Sequence, residues 1–237
     1  MASFGQFCPI AVACEIFAER WTPIILRELI MGSHRFNEIH RCMPLISRPL
    51  LARRLRDLEA AGVLRSTAPQ KGKTREYHLT ESGREFRAAI EALGTWGQRW
   101  TVRVQRDKLD SGLLMWNIRR RVALDRLPER RVVAHFEFRG IPSGRSMVKK
   151  CWLVLERSGC DVCLSDPGYE VDVWVDADLA SMVTVWLGDL SFAQAVREKK
   201  IRLAGTPALV REFPAWLMLS HFAAVPRPSS ELPAARA

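Results

Sequence analysis

Residues 47–62 have the sequence SRPLLARRLRDLEAAG, and the pattern of this segment indicates the fold of the first half of the chain. Its apolar residues recur at i, i+4 and i+7, which is the spacing of an amphipathic helix. Ser47 is of a residue type that caps helix starts, and Gly62 is of the type that ends helices. The stretch therefore predicts one helix with a buried leucine face made of Leu51, Leu55 and Leu58.

The opposite side of this helix is cationic. It carries three arginines and a small alanine that would allow close approach to a base edge, namely Arg48, Ala52, Arg53 and Arg56. Asp57 and Glu59 both fall in the second half, so the first half is purely basic, as in a recognition helix that enters the major groove. The alternative is a solvated face in a protein that binds no nucleic acid, because arginine is also a good helix former.

A short basic hairpin is predicted directly after the helix. Residues 63–67 and 74–80 have strand-like patterns, and the sequence QKGK at residues 70–73 lies between them. Cations at a hairpin tip suit contact with phosphate, although an ordinary basic turn has the same composition. Helix and wing together predict a winged helix-turn-helix, with DNA contacts from Ser47, Arg48, Arg53, Arg56, Lys71, Lys73 and Arg75.

The charge is distributed unevenly along the chain. The 237 residues include 36 Lys and Arg against 26 Asp and Glu, a net charge of +10. Residues 1–130 hold 23 of the basic and 14 of the acidic residues, whereas residues 131–237 hold 13 and 12. This asymmetry favours a polyanionic partner for the first part and a different task for the remainder, with solubility alone as the alternative explanation.

Further helices are predicted on both sides of the basic helix. One starts near Pro9, one lies between Trp21 and Gly32, and residues 35–44 predict a short third one. After Thr80 the pattern predicts a helix with an apolar stripe made of Phe86, Ile90, Leu93, Trp96 and Trp100. Such a stripe is either a dimer contact or part of a core, and the sequence does not decide between them.

Residues 7–100 resemble the HxlR family of bacterial winged helix-turn-helix regulators. The matching features occur in order: Cys8-Pro9, the helix with Trp21, the RFNE motif at residues 35–38, Ile46-Ser47, Arg54-Leu55 through Leu58-Glu59 to Gly62, and Tyr77 to Gly83. The resemblance implies a homodimer on a palindromic double-stranded DNA operator. Dimer symmetry then sets the half-sites about one helical turn, ~34 Å, or a multiple of it apart.

The same resemblance singles out one cysteine. Some members of the family use the early cysteine, here Cys8, as a redox or electrophile sensor. Sensing requires an exposed thiolate with a lowered pKa, and the neighbours Phe7 and Pro9 supply no cation that would lower it. A passive thiol near the dimer interface is therefore the alternative.

The hydrophobic pattern changes in the second half of the chain. After a predicted linking helix over residues 113–128, apolar residues alternate with polar ones near 132–139, 151–156, 160–165 and 171–176, which predicts a mainly antiparallel sheet. Helical patterns return after Asp178, and a last helix begins at Thr206-Pro207 and is disturbed at Pro214. A sheet followed by helices indicates an α+β domain.

Residues 131–222 resemble the sterol-carrier-protein type two fold, in the strand series and in the segments VDVWVDADL, WLGDLSFAQAV and IRLAGTPALVREFPAWL. In that fold the sheet and helices enclose an apolar cavity for lipid-like molecules. The resemblance implies a small apolar effector, lined by Trp152, Trp174, Trp186 and Trp216. Tryptophans in apolar stripes are also common as plain core, which is the alternative.

Sequence patterns of enzymes and metal sites are absent. The chain contains no GxGxxG, GxxxxGK[ST], HExxH or GxSxG motif, and Cys160 and Cys163 have no second pair of metal-ligand type beside them. We expect no catalytic residues, metal or cofactor, and we expect the six cysteines to be thiols. The first residues lack a basic signal-peptide region and no stretch is apolar enough to cross a membrane, so we expect no membrane partner and a cytoplasmic protein.

The sequence thus predicts an α+β chain. We expect a winged helix-turn-helix DNA-binding domain at 1–106, a linking helix at 107–130, a sterol-carrier-like ligand-binding domain at 131–225 and a disordered tail at 226–237. The predicted function is that of a homodimeric transcription factor that responds to a small apolar ligand. The alternatives are a lipid-binding or carrier protein whose basic half contacts a membrane or a partner protein, and a constitutive nucleoid-type DNA binder.

Overall fold

The computed structural model of the chain describes residues 3–67, 74–101, 104–142 and 148–228. The chain forms two compact units, Met1–Thr95 and Trp96–Ala237. Within the described residues, no helix is both long enough and apolar enough to cross a membrane.

The first unit is mainly helical and contains a two-stranded antiparallel sheet. Its elements are α1 (Pro9–Phe17), α2 (Thr22–Ile30), α3 (Phe36–Arg41), α4 (Arg48–Ala60), β1 (Leu64–Ser66), β2 (Tyr77–Leu79) and the start of α5 (Glu81–Trp100). The strands are shorter than the predicted runs. They pair with Arg65 opposite His78, while Glu76 instead forms an isolated bridge with Arg35 before β2 begins.

The core of the first unit forms around α4. Its three predicted inward leucines, Leu51, Leu55 and Leu58, are buried, which confirms the leucine face. They pack in one cluster with residues of α2 and α3, including Ile25, Leu26 and Ile39. Ser47 caps α4 because its Oγ accepts a hydrogen bond from the backbone N–H of Leu50 at 3.4 Å. Such caps contribute about 1 kcal/mol to helix stability, so this serine fixes where α4 begins.

The second unit combines a five-stranded sheet with helices. Its elements are α6 (Ser111–Arg119), β3 (Val132–Arg139), β4 (Lys150–Glu156), β5 (Gly159–Cys163), β6 (Val173–Asp178), α7 (Leu179–Trp186), α8 (Phe192–Arg197), β7 (Ile201–Gly205) and α9 (Pro207–Trp216). The strand order is β5-β4-β3-β6-β7. The β3–β6 pairing is parallel and the other pairings are antiparallel, because the chain crosses from β5 to the far side of β3 before β6 begins.

The sheet of the second unit has one apolar face. The alternate residues Val132, Ala134, Phe136 and Phe138 of β3 lie in a core cluster with residues of α6, α7 and α9. The other face presents His135, which lies between Trp152 of β4 and Trp174 of β6, with ring centroids 4.8 and 4.7 Å away. Period-two alternation therefore separates an apolar core from a face with aromatic and charged side chains.

The predicted helix over residues 113–128 is divided in the structure. Helix α6 ends at Arg119, and only a short 3-10 helix at Leu124–Arg126 follows. The chain leaves the helix because the N–H of Ala123 donates to the carbonyl of Trp216 at 2.9 Å, beside a bridge between Val122 and Leu217. Helix α6 itself buries Leu114, Met115 and Ile118 in the core of the second unit.

Candidate DNA-binding surface

Helix α4 presents two arginines to solvent on the side away from its leucines. The side chain of Arg53 is 68% exposed and its Nε lies 3.9 Å from the Oδ2 of Asp57, while Arg56 is exposed one turn along. A guanidinium group offers five N–H donors in a fixed fork, which matches the O6 and N7 acceptors of guanine or the oxygens of a phosphate. The helix therefore carries cationic donors on the face predicted to meet DNA.

Arg48 is held in place by α3. Its Nη2 donates a hydrogen bond to the Oδ1 of Asn37 at 2.7 Å, and its guanidinium carbon lies 5.0 Å from the centre of the Phe36 ring. These two contacts restrict the rotation of a side chain that is otherwise exposed at the start of α4. Sequence reasoning did not assign Asn37 to the site, although a polar residue directly after the apolar Phe36 of the RFNE motif was a usable signal.

Arg54 differs from its neighbours in being structural. Its side chain is only 12% exposed, and it forms ion pairs with Glu19, which follows α1, and with Asp57 at 3.3 Å. The Nε of Arg54 also donates to the carbonyl of Arg20 at 3.3 Å. This arginine therefore attaches α4 to the segment after α1.

The acidic residues of α4 are engaged within the first unit. Asp57 lies between Arg53 and Arg54, and Glu59 accepts hydrogen bonds from the hydroxyl and the N–H of Ser66 at 2.7 and 2.9 Å. The Ser66 hydroxyl, followed by its N–H, holds the pKa of Glu59 below its ordinary value. Both carboxylates lie in the second half of the helix, which leaves its first half positive.

The wing is described in part. Lys71 and Lys73, which the sequence predicts at its tip, lie outside the described residues. Arg75 is exposed next to Glu76, and Glu76 pairs with Arg35 at 3.3 Å. Arg65 of β1 is a further exposed cation that sequence reasoning did not single out. Its place beside the buried Leu64 in an alternating strand was the signal that could have identified it.

Cys8 lies at the start of a helix. It is the N-cap residue of α1, directly before the first turn of that helix. The backbone N–H groups of Ala11 and Ile10 lower the pKa of the Cys8 thiol below its ordinary value. The sequence search for a neighbouring cation missed this cause, because the positive charge comes from a helix N-terminus and not from a side chain.

The four predicted ligand-binding tryptophans lie in three different surroundings. Trp216 is in the core of the second unit and packs against Phe213, whereas Trp186 lines an apolar cavity. Trp152 and Trp174 flank His135 on the sheet face opposite the core. The structure therefore places only Trp186 and Trp216 on the helical side of the sheet.

Two of the three cysteines of the second unit, Cys151 and Cys160, are protected thiols. Burial raises the pKa of both Cys151 and Cys160 to about 12, so both are protonated at neutral pH. Cys163 lies opposite Trp152 in the sheet. Across the part of the chain that the structure describes, no three His, Cys, Asp or Glu side chains are gathered as a metal site.

Comparison with known proteins identifies the first unit. The family described as HxlR-like helix-turn-helix matches residues 16–105. The uncharacterized HTH-type transcriptional regulator YdeP of Bacillus subtilis (strain 168) is 36% identical over 105 residues, which are 44% of this chain and 80% of YdeP. YvaP, another such regulator of the same organism, is 33% identical over 98 residues, or 40% of this chain and 91% of YvaP.

A solved structure covers a similar share of the chain. The redox regulator HypR in its reduced form is 32% identical in sequence, covers 38% of this chain and 90% of its own, and has a TM-score of 0.36. With the relatives aligned over four-fifths or more of their length at 33–36% identity, the chain belongs to the HxlR-like helix-turn-helix family of transcriptional regulators.

Proposed function

We propose that the protein is a homodimeric regulator that binds a palindromic operator through α4 and the adjacent wing, and that its second unit binds a small apolar effector. One observation carries the proposal. The exposed face of α4 has three arginines in or beside its first two turns, while its two acids are engaged in contacts within the first unit. Such a face suits the major groove, where arginine donors read base edges.

The residues of the proposed surface have two roles. Arg53 and Arg56, together with Arg48 at the start of the helix, reach base edges, and the exposed Ser47 lies where helix N–H groups meet a phosphate. Lys71, Lys73 and Arg75 of the wing contact phosphates, which fixes the register of the helix on DNA but adds little sequence information. Because the carboxylates of Asp57 and Glu59 lie in the second half of α4, we expect DNA to be recognised mainly by the first half of the helix.

Homodimerisation is supported by apolar side chains that face solvent. Phe7 is 100% exposed and Ile10 is 74% exposed at the start of α1. In α5, Leu93, Trp96 and Trp100 are exposed and are spaced at i, i+3 and i+7, so they lie along one side of that helix. Large apolar side chains at helical spacing are costly in water, and a second copy of the chain would cover them.

The second unit is proposed as the effector domain. Its sheet with helices on the apolar face, together with the sequence resemblance to the sterol-carrier-protein type two fold, supports a lipid-like or other apolar ligand. Effector binding regulates transcription only if the ligand's affinity differs between the free and the DNA-bound dimer. We further propose that Cys8, whose pKa is lowered, is a reactive thiol of the first unit.

A DNA-binding titration of the full chain tests the proposal. The probe is a labelled fragment from upstream of the protein's own coding sequence, measured by anisotropy against a scrambled fragment at fixed salt. The proposal expects specific binding at least about 10³-fold tighter than non-specific binding. Equal affinity for both fragments supports a nucleoid-type binder, and no binding to either supports a carrier protein.

A matched pair of variants tests whether α4 forms the DNA-binding surface. Arg53→Ala removes an exposed arginine of α4, while Arg87→Ala removes an exposed arginine of α5 that pairs with Glu91 at 3.8 Å. The two substitutions change the net charge equally. Specific binding should therefore fall for Arg53→Ala and stay nearly unchanged for Arg87→Ala, and equal losses would reject α4 as the recognition helix.

A further inference from the structure

We propose that a cavity bordered by helices and by the chain after α9 is the effector site of the second unit, and that it takes a neutral ring compound. The cavity has a volume of about 370 Å³. It lies beside α7 and α8 and is bordered by residues that end and follow α9, and none of its described lining residues belongs to a strand. Its regulatory role rests on the proposed function, whereas its ability to bind a ligand stands on the following observations.

The lining of the cavity is apolar and adaptable. Its principal side chains are Met182, Val185, Trp186, Phe192, Leu217 and Met218. Tryptophan and phenylalanine offer flat surfaces on which a ring can pack. The two methionines have flexible, polarisable thioethers that adjust to the shape of a ligand. The cavity is therefore suited to flat ring compounds, and its methionines can adjust to rings of different shapes.

The uncharged lining of the cavity disfavours ionic ligands. None of the described residues that line it is charged. The nearest acid in sequence, Asp189, lies between two lining residues, but its carboxylate already pairs with Arg227 at 2.7 Å. An ion placed in the cavity would lose hydration without a charged partner among the described lining side chains, which is costly. A neutral ligand avoids this loss.

The size and polarity of the cavity further restrict the class of ligand that it can bind. A volume of 370 Å³ corresponds to roughly a dozen water-sized volumes, which suits a molecule of up to three rings. Among the described lining residues, the one side-chain hydroxyl belongs to Ser191, whose Oγ accepts the N–H of Gln194 at 3.1 Å. A hydroxyl has one proton to donate in addition, so Ser191 can bond to a single oxygen acceptor of the ligand.

The cavity adjoins a hydrogen bond that reaches α5. The buried Gln98 donates from Nε2 to the carbonyl of Leu187 at 3.1 Å, and Leu187 lies between the lining residues Trp186 and Gly188. On the other side, the N–H of Ser220 donates to the carbonyl of Trp186 at 2.9 Å. A ligand that moves Trp186 therefore acts on the C-terminal part of α5 and on the segment after α9.

Two probes that differ by one charge test the ligand class. N-phenyl-1-naphthylamine is neutral, and 8-anilino-1-naphthalenesulfonate is the same ring system with an added sulfonate. Both gain fluorescence in apolar surroundings. Titration of the full chain should show saturable binding of the neutral probe and at least about tenfold weaker binding of the anion. Equal binding of both, or no saturable binding of the neutral probe, would overturn the proposal.

Two variants test whether the probe binds in this cavity. Met218 lines the cavity and is 46% exposed, while Leu164 is 64% exposed and does not line it. Met218→Glu should weaken binding of the neutral probe by at least about tenfold, and Leu164→Glu should leave it unchanged. Equal affinity in Met218→Glu and the wild type, or an equal loss in both variants, would overturn the location.

DNA titrations separate this inference from the proposed function. If Met218→Glu removes probe binding while the probe never changes operator affinity in the wild type, the cavity stands and the effector role fails. If the chain binds its operator but not the neutral probe, the cavity fails and the DNA-binding role stands. Circular dichroism and the operator affinity of each variant establish that it is folded.

Discussion

Arg48 and Asn37 are joined by a 2.7 Å hydrogen bond from the guanidinium Nη2 to the amide Oδ1. The bond connects the first residue of α4 to α3, and the ring of Phe36 supports the same guanidinium from the side. A side chain restrained before DNA arrives loses less rotational freedom when it binds. Asn37 is thus a positioning residue for Arg48 in the proposed DNA-binding surface.

Asn37→Ala should weaken operator binding without changing non-specific binding. The substitution keeps the charge of Arg48 but removes its restraint, and the loss of one such hydrogen bond is worth about 0.5–1.5 kcal/mol. Anisotropy titrations on operator and scrambled DNA measure both affinities. In an Arg48→Ala background the same substitution should have almost no further effect. An undiminished effect in that background would show that Asn37 acts independently of Arg48.

Arg53→Ala and Lys71→Ala should have different effects on binding. If Arg53 reads a guanine, its loss costs about 1–3 kcal/mol on the operator and relaxes the preference at one base pair. Loss of a phosphate contact from Lys71 should weaken all sequences alike and reduce the salt dependence by about one ion. Titrations at several salt concentrations with single-base operator variants distinguish the two. Identical behaviour of both variants would reject the assignment of helix to bases and wing to phosphates.

Arg54→Met should lower stability and leave DNA recognition unchanged. The side chain is 12% exposed and pairs with Glu19 and Asp57, so its removal leaves two carboxylates without their common partner. We expect the free energy of unfolding to fall by about 1–3 kcal/mol. Chemical denaturation monitors stability, and the operator affinity of the folded fraction should match the wild type. A specific loss of operator affinity with unchanged stability would place Arg54 in the DNA-binding surface.

Cys8 should be alkylated at lower pH than an ordinary thiol. The backbone N–H groups of Ala11 and Ile10 stabilise its thiolate and lower its pKa, so the reactive form persists as the pH falls. The rate of iodoacetamide labelling, followed by peptide mass spectrometry from pH 6 to 10, gives the midpoint. Unfolding in urea should move this midpoint upward, because the helix N-terminus is lost.

Two other cysteines serve as internal controls for this experiment. Cys151 and Cys160 have pKa values raised to about 12 by burial, so both should remain unlabelled in the folded chain at pH 8. Labelling of Cys8 with the same midpoint in folded and unfolded chains would contradict the role of the helix N-terminus.

In the first unit, local sequence patterns predicted the helix and its buried face better than the roles of individual side chains. The spacing of Leu51, Leu55 and Leu58 and the cap at Ser47 are set within one helix, so the sequence was sufficient to locate both. The roles of Arg48 and Arg54 depend on partners in other segments. A helical wheel gives the direction of a side chain but not the residue that it meets, so the partners of the two arginines could not be predicted from the helix alone.

The sheet of the second unit shows a similar division. Alternation located its strands, but the parallel pairing of β3 with β6 depends on how the chain crosses after β5, which no local pattern determines. In CWLVLE both sets of alternate residues are largely apolar, so the face that Trp152 occupies was ambiguous. The register opposite His135 resolves it, and this register follows from the pairing of whole strands.

Gln98→Met should uncouple the proposed effector site from DNA binding. Methionine preserves the length and volume of Gln98 but removes the donor to the Leu187 carbonyl, in a position that is only 3% exposed. Binding of N-phenyl-1-naphthylamine should stay within about twofold of the wild type, since Gln98 does not line the cavity. The change in operator affinity caused by the probe should shrink, because the hydrogen bond between the cavity wall and α5 is gone. Gln194→Met, an exposed substitution in α8, is the control and should alter neither quantity. An unaltered response in Gln98→Met would show that the signal does not pass through this bond.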